Sequence, residues 1–67
     1  MKKYVYELHW SDEVDEFDVN VGLFTSLPEV RAFIVQSGDP HEKFYALRHP
    51  LNPEGAYDPV EVEIFRK

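Results

Sequence analysis

The chain has 67 residues, 13 acids against seven bases for a formal net charge of −6, and no cysteine. Disulfides and thiolate metal sites are therefore excluded. The negative balance argues against direct binding to nucleic acid or an anionic membrane, since both need Lys and Arg to offset phosphate. No apolar run approaches the roughly 20 residues that span a bilayer. This length predicts one domain over residues 1–67, near the lower limit for a single apolar core. One tryptophan, four tyrosines and five phenylalanines supply large buried areas in compensation.

MKKYVYELHW opens the chain. Glu7 and His9 interrupt any apolar stretch and no small-residue cleavage site follows, so it reads as a strand, not a signal peptide. A cytoplasmic protein is expected. Tyr4, Tyr6, Leu8 and Trp10 alternate with Val5, Glu7 and His9, the period of a half-buried strand. Residues 17–24 repeat it, with Phe17, Val19, Val21 and Leu23 on one face and Asp18, Asn20 and Gly22 on the other. SDEVDEFD, residues 11–18, falls between the two strands and forms the hairpin connection.

Helix signals come next. Ser26 precedes Glu29 by three residues as in a capping box, Pro28 suits the first turn, and Gly38 followed by Asp39-Pro40 ends the helix. The predicted span is 27–37, with Leu27, Val30, Phe33 and Ile34 on its apolar face. Phe44 to His49 reads as a third strand in which Tyr45 and Leu47 compete with Phe44 and Ala46 for the inner face. Asn52-Pro53-Glu54-Gly55 matches a type I turn. Val60, Val62 and Ile64 then alternate with Glu61, Glu63 and Phe65 in a last strand. The predicted core is Tyr6, Leu8, Trp10, Val19, Val21, Leu27, Val30, Phe33, Ile34, Val62 and Ile64.

The order β-β-α-β-β predicts an α+β fold with one helix packed on a four-stranded mixed sheet. A crossover helix makes strands two and three parallel. Placing the first and last strands together in the centre gives the order 2-1-4-3. In element order this resembles the β-grasp fold of ubiquitin-like domains, a likeness that implies no function.

Charge is the functional lead. Residues 12–18 hold five carboxylates, and no Lys or Arg occurs from Tyr4 to Val30. Strand alternation sends Glu7, Asp18, Glu61 and Glu63 to the face away from the helix, while Asp12, Glu13, Asp15 and Glu16 add to them at the hairpin. Like charges facing one another across strands are destabilising, so a marginal domain that keeps them points to use beyond solubility. Neutralising Asp12, Asp15 and Asp18 is expected to relieve repulsion.

Other chemistry finds little support. Asp12, Asp15 and Asp18 recur every three residues, but no glycine lies among them and the calcium-loop pattern is not matched. No metal or cofactor is expected. His9, His41 and His49 lack ligand spacing. Ser11, Thr25, Ser26 and Ser37 sit in no nucleophile motif, and a one-helix sheet offers no cleft, so no enzyme is expected. The eight carboxylates Glu7, Asp12, Glu13, Asp15, Glu16, Asp18, Glu61 and Glu63 are the predicted partner-binding residues.

Glu61 and Glu63, two apart on a strand, project about 6.6 Å apart, comparable to successive phosphates. In size, charge and compactness the chain resembles the small acidic phage-encoded inhibitors, anti-CRISPR proteins and other DNA mimics. That resemblance implies a phage protein acting inside the host bacterium by occupying the PAM-reading site of a CRISPR effector, without catalysis. The expected partner is a basic nucleic-acid-binding protein or complex, with no direct contact to nucleic acid or membrane. The alternative is a small interaction or immunity-type module that binds a basic protein unrelated to nucleic acid.

Overall fold

A computed structural model of the chain describes residues 3–51 and 55–65. Strands β1 (Tyr4–Asp12) and β2 (Phe17–Phe24) precede helix α1 (Leu27–Ser37), a 3₁₀ turn (His41–Lys43), β3 (Phe44–Pro50) and β4 (Val60–Val62). The fold is α+β, with four strands in one sheet. Most of the expected Asn52–Gly55 turn lies outside the described residues. Among the described residues, no helix is long and apolar enough to cross a membrane.

Local signals place α1 on its predicted span. The extended Ser26 accepts a hydrogen bond from the Glu29 N–H (3.4 Å), and the Glu29 carboxylate accepts one from the Thr25 hydroxyl. Pro28 sits in the first turn, where a missing N–H costs nothing. Gly38 stops the helix at φ 77°, a left-handed conformation that suits a residue without Cβ.

The sheet order corrects the expected one. It is β2-β1-β3-β4 with every neighbouring pair antiparallel, not the mixed 2-1-4-3 order of a β-grasp fold. Strands β2 and β3 do run parallel to each other, but with β1 between them. Two physical reasons put β3 in the centre. It pairs with β1 over seven positions, Tyr4↔Pro50 to Trp10↔Phe44, whereas β4 has three residues to offer. It is also apolar on both faces, with Phe44 and Ala46 inward and Tyr45 and Leu47 outward. A β4 placed there would bring its glutamates beside Glu7. In the observed row Leu47 separates Glu7 from Glu61, which removes that repulsion.

A register irregularity between Leu8 and His9 corrects the reading of β2. Leu8 faces Gly22 but His9 faces Asn20, so Val21 is an extra residue and the alternation changes phase there. Phe24 thereby turns to the helix side and Leu23 to the open face, where it is 67% exposed. A Cβ at Gly22 would lie 2.9 Å from the Phe24 ring, so the small residue makes room for that turn.

Leu8, Val30, Ile34, Phe44, Ala46 and Ile64 form the buried core, with Tyr6, Trp10, Val21, Phe24, Val62 and Phe65 packed around it. Leu27 is half-buried. Two other residues expected in the core lie at its edge. Val19 is 39% exposed on the edge strand β2. Phe33 is 37% exposed and leans on Phe24, with ring centroids 5.6 Å apart, because β2 is the edge strand of the sheet among the described residues. Phe44 and Ala46 take the inner positions instead.

Candidate partner-binding surface

Three strands bring their outward side chains together on the open face. Register sets Glu7 beside Leu23 and Leu47, His9 beside Asn20 and Tyr45, and Ser11 beside Asp18. His9 lies between two carboxylates, its Nε2 2.8 Å from Glu7 and its Nδ1 2.9 Å from Asp18. A carboxylate only accepts, so donating to both acids at once takes an N–H on each ring nitrogen. Glu7 also accepts from His49 Nε2 at 2.9 Å and from the Asn20 amide at 3.0 Å. The Tyr45 hydroxyl donates to Asp18, and the Tyr45 ring stacks on His9 with centroids 4.8 Å apart. His49 Nδ1 lies 3.2 Å from the Tyr57 hydroxyl, which ties the β3–β4 connection into the chain of bonds.

These donors move the acids' titration. The hydrogen bond from His49 holds Glu7 below its ordinary 4.5, with His9 adding and partial burial opposing. Asp18 is held below its ordinary 3.8, first by the Tyr45 hydroxyl and then by His9. The same bond to Asp18 pushes the Tyr45 phenol up to about 12, with burial and the charges of Asp18, Glu7 and Glu61 adding.

Of the eight predicted partner-binding residues, Glu7 and Asp18 are thus engaged within the sheet. Asp12 is engaged as well. It falls on the helix side, accepts from the Val14 N–H at 3.0 Å, and lies 3.5 Å from Lys43 Nζ. Neutralising Asp12 and Asp18 would therefore remove acceptors as well as relieve repulsion, because both hold donors in place. Glu61 lies on the open face beside Leu47, and Glu63 follows just past the end of β4.

The remaining carboxylates gather at one end of the sheet. Strand β1 ends there, β2 and β3 start there, and β4 runs toward it. The β1–β2 turn therefore presents Glu13, Asp15 and Glu16 beside the 3₁₀ turn that carries Glu42, with Glu61 and Glu63 along the adjoining edge. All six are exposed. Glu42 joins the two groups, lining one depression with Glu13 and another with Glu61 and Glu63. Lys43, the one lysine in this region among the described residues, is committed to Asp12. No protein family, curated protein or solved structure matches this chain.

Sequence reasoning missed His9, His49, Tyr45 and Lys43 as partners, and Glu42 as part of the exposed rim. The Glu7-x-His9 spacing, which puts both side chains on one face of a strand, was the available signal. Nothing comparable links Asp18 or His49 to Glu7 without the strand register. Among the described residues, no group of three or more His, Asp or Glu side chains is arranged to hold a metal ion.

Proposed function

We propose that this chain is a non-enzymatic binding domain that offers carboxylates in place of nucleic-acid phosphates to a basic nucleic-acid-binding protein. One observation carries the reading. Glu13, Asp15, Glu16, Glu42, Glu61 and Glu63 are all exposed at one end and edge of the sheet, while the other acids of the region are tied to donors within the chain. A cleft built for DNA takes most of its contacts from phosphates, which carry no sequence information, so a row of carboxylates can occupy it without base edges. The likeness to small acidic phage inhibitors of the anti-CRISPR type makes the PAM-reading cleft of a CRISPR effector the first partner to test.

A second reading has its own support. Leu23 and Tyr57 are exposed apolar groups on or beside the open face, and an apolar centre with a charged rim suits an ordinary protein partner. Duplex DNA separates the two. Immobilised protein is incubated with a bacterial lysate, with and without added DNA. Nucleic-acid-binding proteins retained alone and released by DNA support mimicry. Retention of a basic protein indifferent to DNA supports the interaction module.

A further inference from the structure

We infer that the groove beside the unpaired start of β3 receives an arginine side chain of the partner. This rests on the reading above that the partner surface is basic, and it names the group that surface must present. The groove arises from strand lengths. Strand β3 begins at Phe44, but its ladder with β4 covers Ala46↔Val62, Leu47↔Glu61 and Arg48↔Val60 alone. After Val62 the chain leaves the sheet, and a depression of about 870 Å³ fills the place where further pairing would lie.

Its walls are held in position. Ile64 is buried in the core, and its carbonyl accepts from Arg31 Nε at 2.7 Å, so the departing segment is pinned under the helix. Phe65 stacks on His41 with centroids 4.2 Å apart and planes within 4°. Tyr45 lines the other side, its ring held flat against His9. Glu42, Glu61 and Glu63 stand around these rings.

Flat rings beside carboxylates match a guanidinium better than other occupants. Its plane stacks on an aromatic face while its fork donates to two carboxylate oxygens. An ammonium has the charge but no plane. A phosphate or a nucleobase within its backbone meets three like charges. An apolar side chain would strip water from the carboxylates and return no hydrogen bond.

The test is an NMR titration of the ¹⁵N-labelled chain with a Gly-Arg-Gly-Arg-Gly peptide and its lysine counterpart. Arg66 and Lys67 follow Phe65 directly, so a parallel sample carries Arg66→Gln and Lys67→Gln to remove competition from the chain's own cations. Saturable amide shifts are expected at His41, Tyr45 and Glu61–Phe65, with the arginine peptide about tenfold tighter than the lysine one. Glu61→Gln with Glu63→Gln should weaken it about tenfold. Changing Glu13, Asp15 and Glu16 to amides should alter it less than about twofold, because exposed charges at a distance are screened. Equal affinity for the two peptides, shifts centred on 13–16, or indifference to the Glu61 and Glu63 changes would each overturn the inference. Failure of the broader reading looks different. There the arginine peptide still seats in the groove, but no captured protein is displaced by DNA.

Discussion

On the open face, Glu7 accepts hydrogen bonds from His9, His49 and Asn20. Three residues past the end of β1, Asp15 stands exposed in the turn beside Val14, which is itself 89% exposed. Both lie in the span from Tyr4 to Val30 that holds no Lys or Arg, and formal charge counts them alike. Their neighbours make them different. Glu7 and Asp18 are structural acids that connect three strands, whereas Glu13, Asp15 and Glu16 add nothing visible to the fold. The comparison shows that a net charge of −6 overstates what a partner can use on the face and understates how strongly the end of the sheet is polarised.

Loss of the Glu7 carboxylate should destabilise the fold most. Glu7→Gln leaves His9 and His49 facing an amide and removes the charge that both donate to. Urea denaturation should show a loss of about 1–2 kcal/mol, at or just below the low end of the range for hydrogen bonds to charged groups, because the site borders solvent. Converting Glu13, Asp15 and Glu16 to their amides should change stability by less than about 0.5 kcal/mol, as for surface sites without partners. Equal losses in the two variants would erase the distinction.

Acid titration sharpens it next. Glu7 and Asp18 are lowered in the folded state, so the unfolded chain binds their protons first as pH falls. Their stabilisation is complete above the ordinary values of 4.5 and 3.8 and is lost as pH drops through the lower folded values. The melting temperature of the parent should fall over that range, and that of Glu7→Gln should fall less. At the other extreme, Tyr45 is raised, so its contribution holds below its ordinary 10.0 and is lost as pH rises toward about 12. Phenolate absorbance should include a component titrating at about 12, and Asp18→Asn should move that component down toward 10.0.

The smallest effect lies in the turn. Glu16 has φ 51°, the left-handed region that disfavours a Cβ. Glu16→Gly should raise stability by up to about 1 kcal/mol in the same urea measurement. A loss would mean that the Glu16 side chain supports the turn after all.

Local signals were the legible part of this molecule. The cap at Ser26 and the proline at 28 act within the first turn and the glycine at 38 just past the last, and α1 has the span they dictate. Where each strand starts was readable for the same reason, since period two is local, but the last strand, expected over 60–65, ends at Val62. Strand order was not readable. Whether β3 or β4 lies beside β1 depends on pairing length and on which row of charges results, and both are relations between segments far apart in sequence. The extra residue at Val21 was invisible too, because a bulge shifts phase without changing composition, and it put Leu23 on the open face and Phe24 on the helix side, the reverse of an unbroken alternation. Of the candidate site, the turn acids were named from charge, and Glu61 with Glu63 from charge and strand alternation. The engagement of Glu7, Asp18 and Asp12 needed the register that brings His9, His49, Tyr45 and Lys43 to them.

The central claim is that the exposed carboxylates at the end and edge of the sheet, not those on its open face, engage a basic nucleic-acid-binding partner. The most direct test measures the association rate of the captured partner at low and high salt. It compares the parent with a folded variant carrying Glu13→Gln, Asp15→Asn, Glu16→Gln, Glu61→Gln and Glu63→Gln. Complementary fields chiefly raise association rates and fade as salt screens them. The variant should associate at least about tenfold more slowly at low salt and approach the parent at high salt. A folded variant that associates as fast as the parent at low salt would show that these carboxylates do not carry the association.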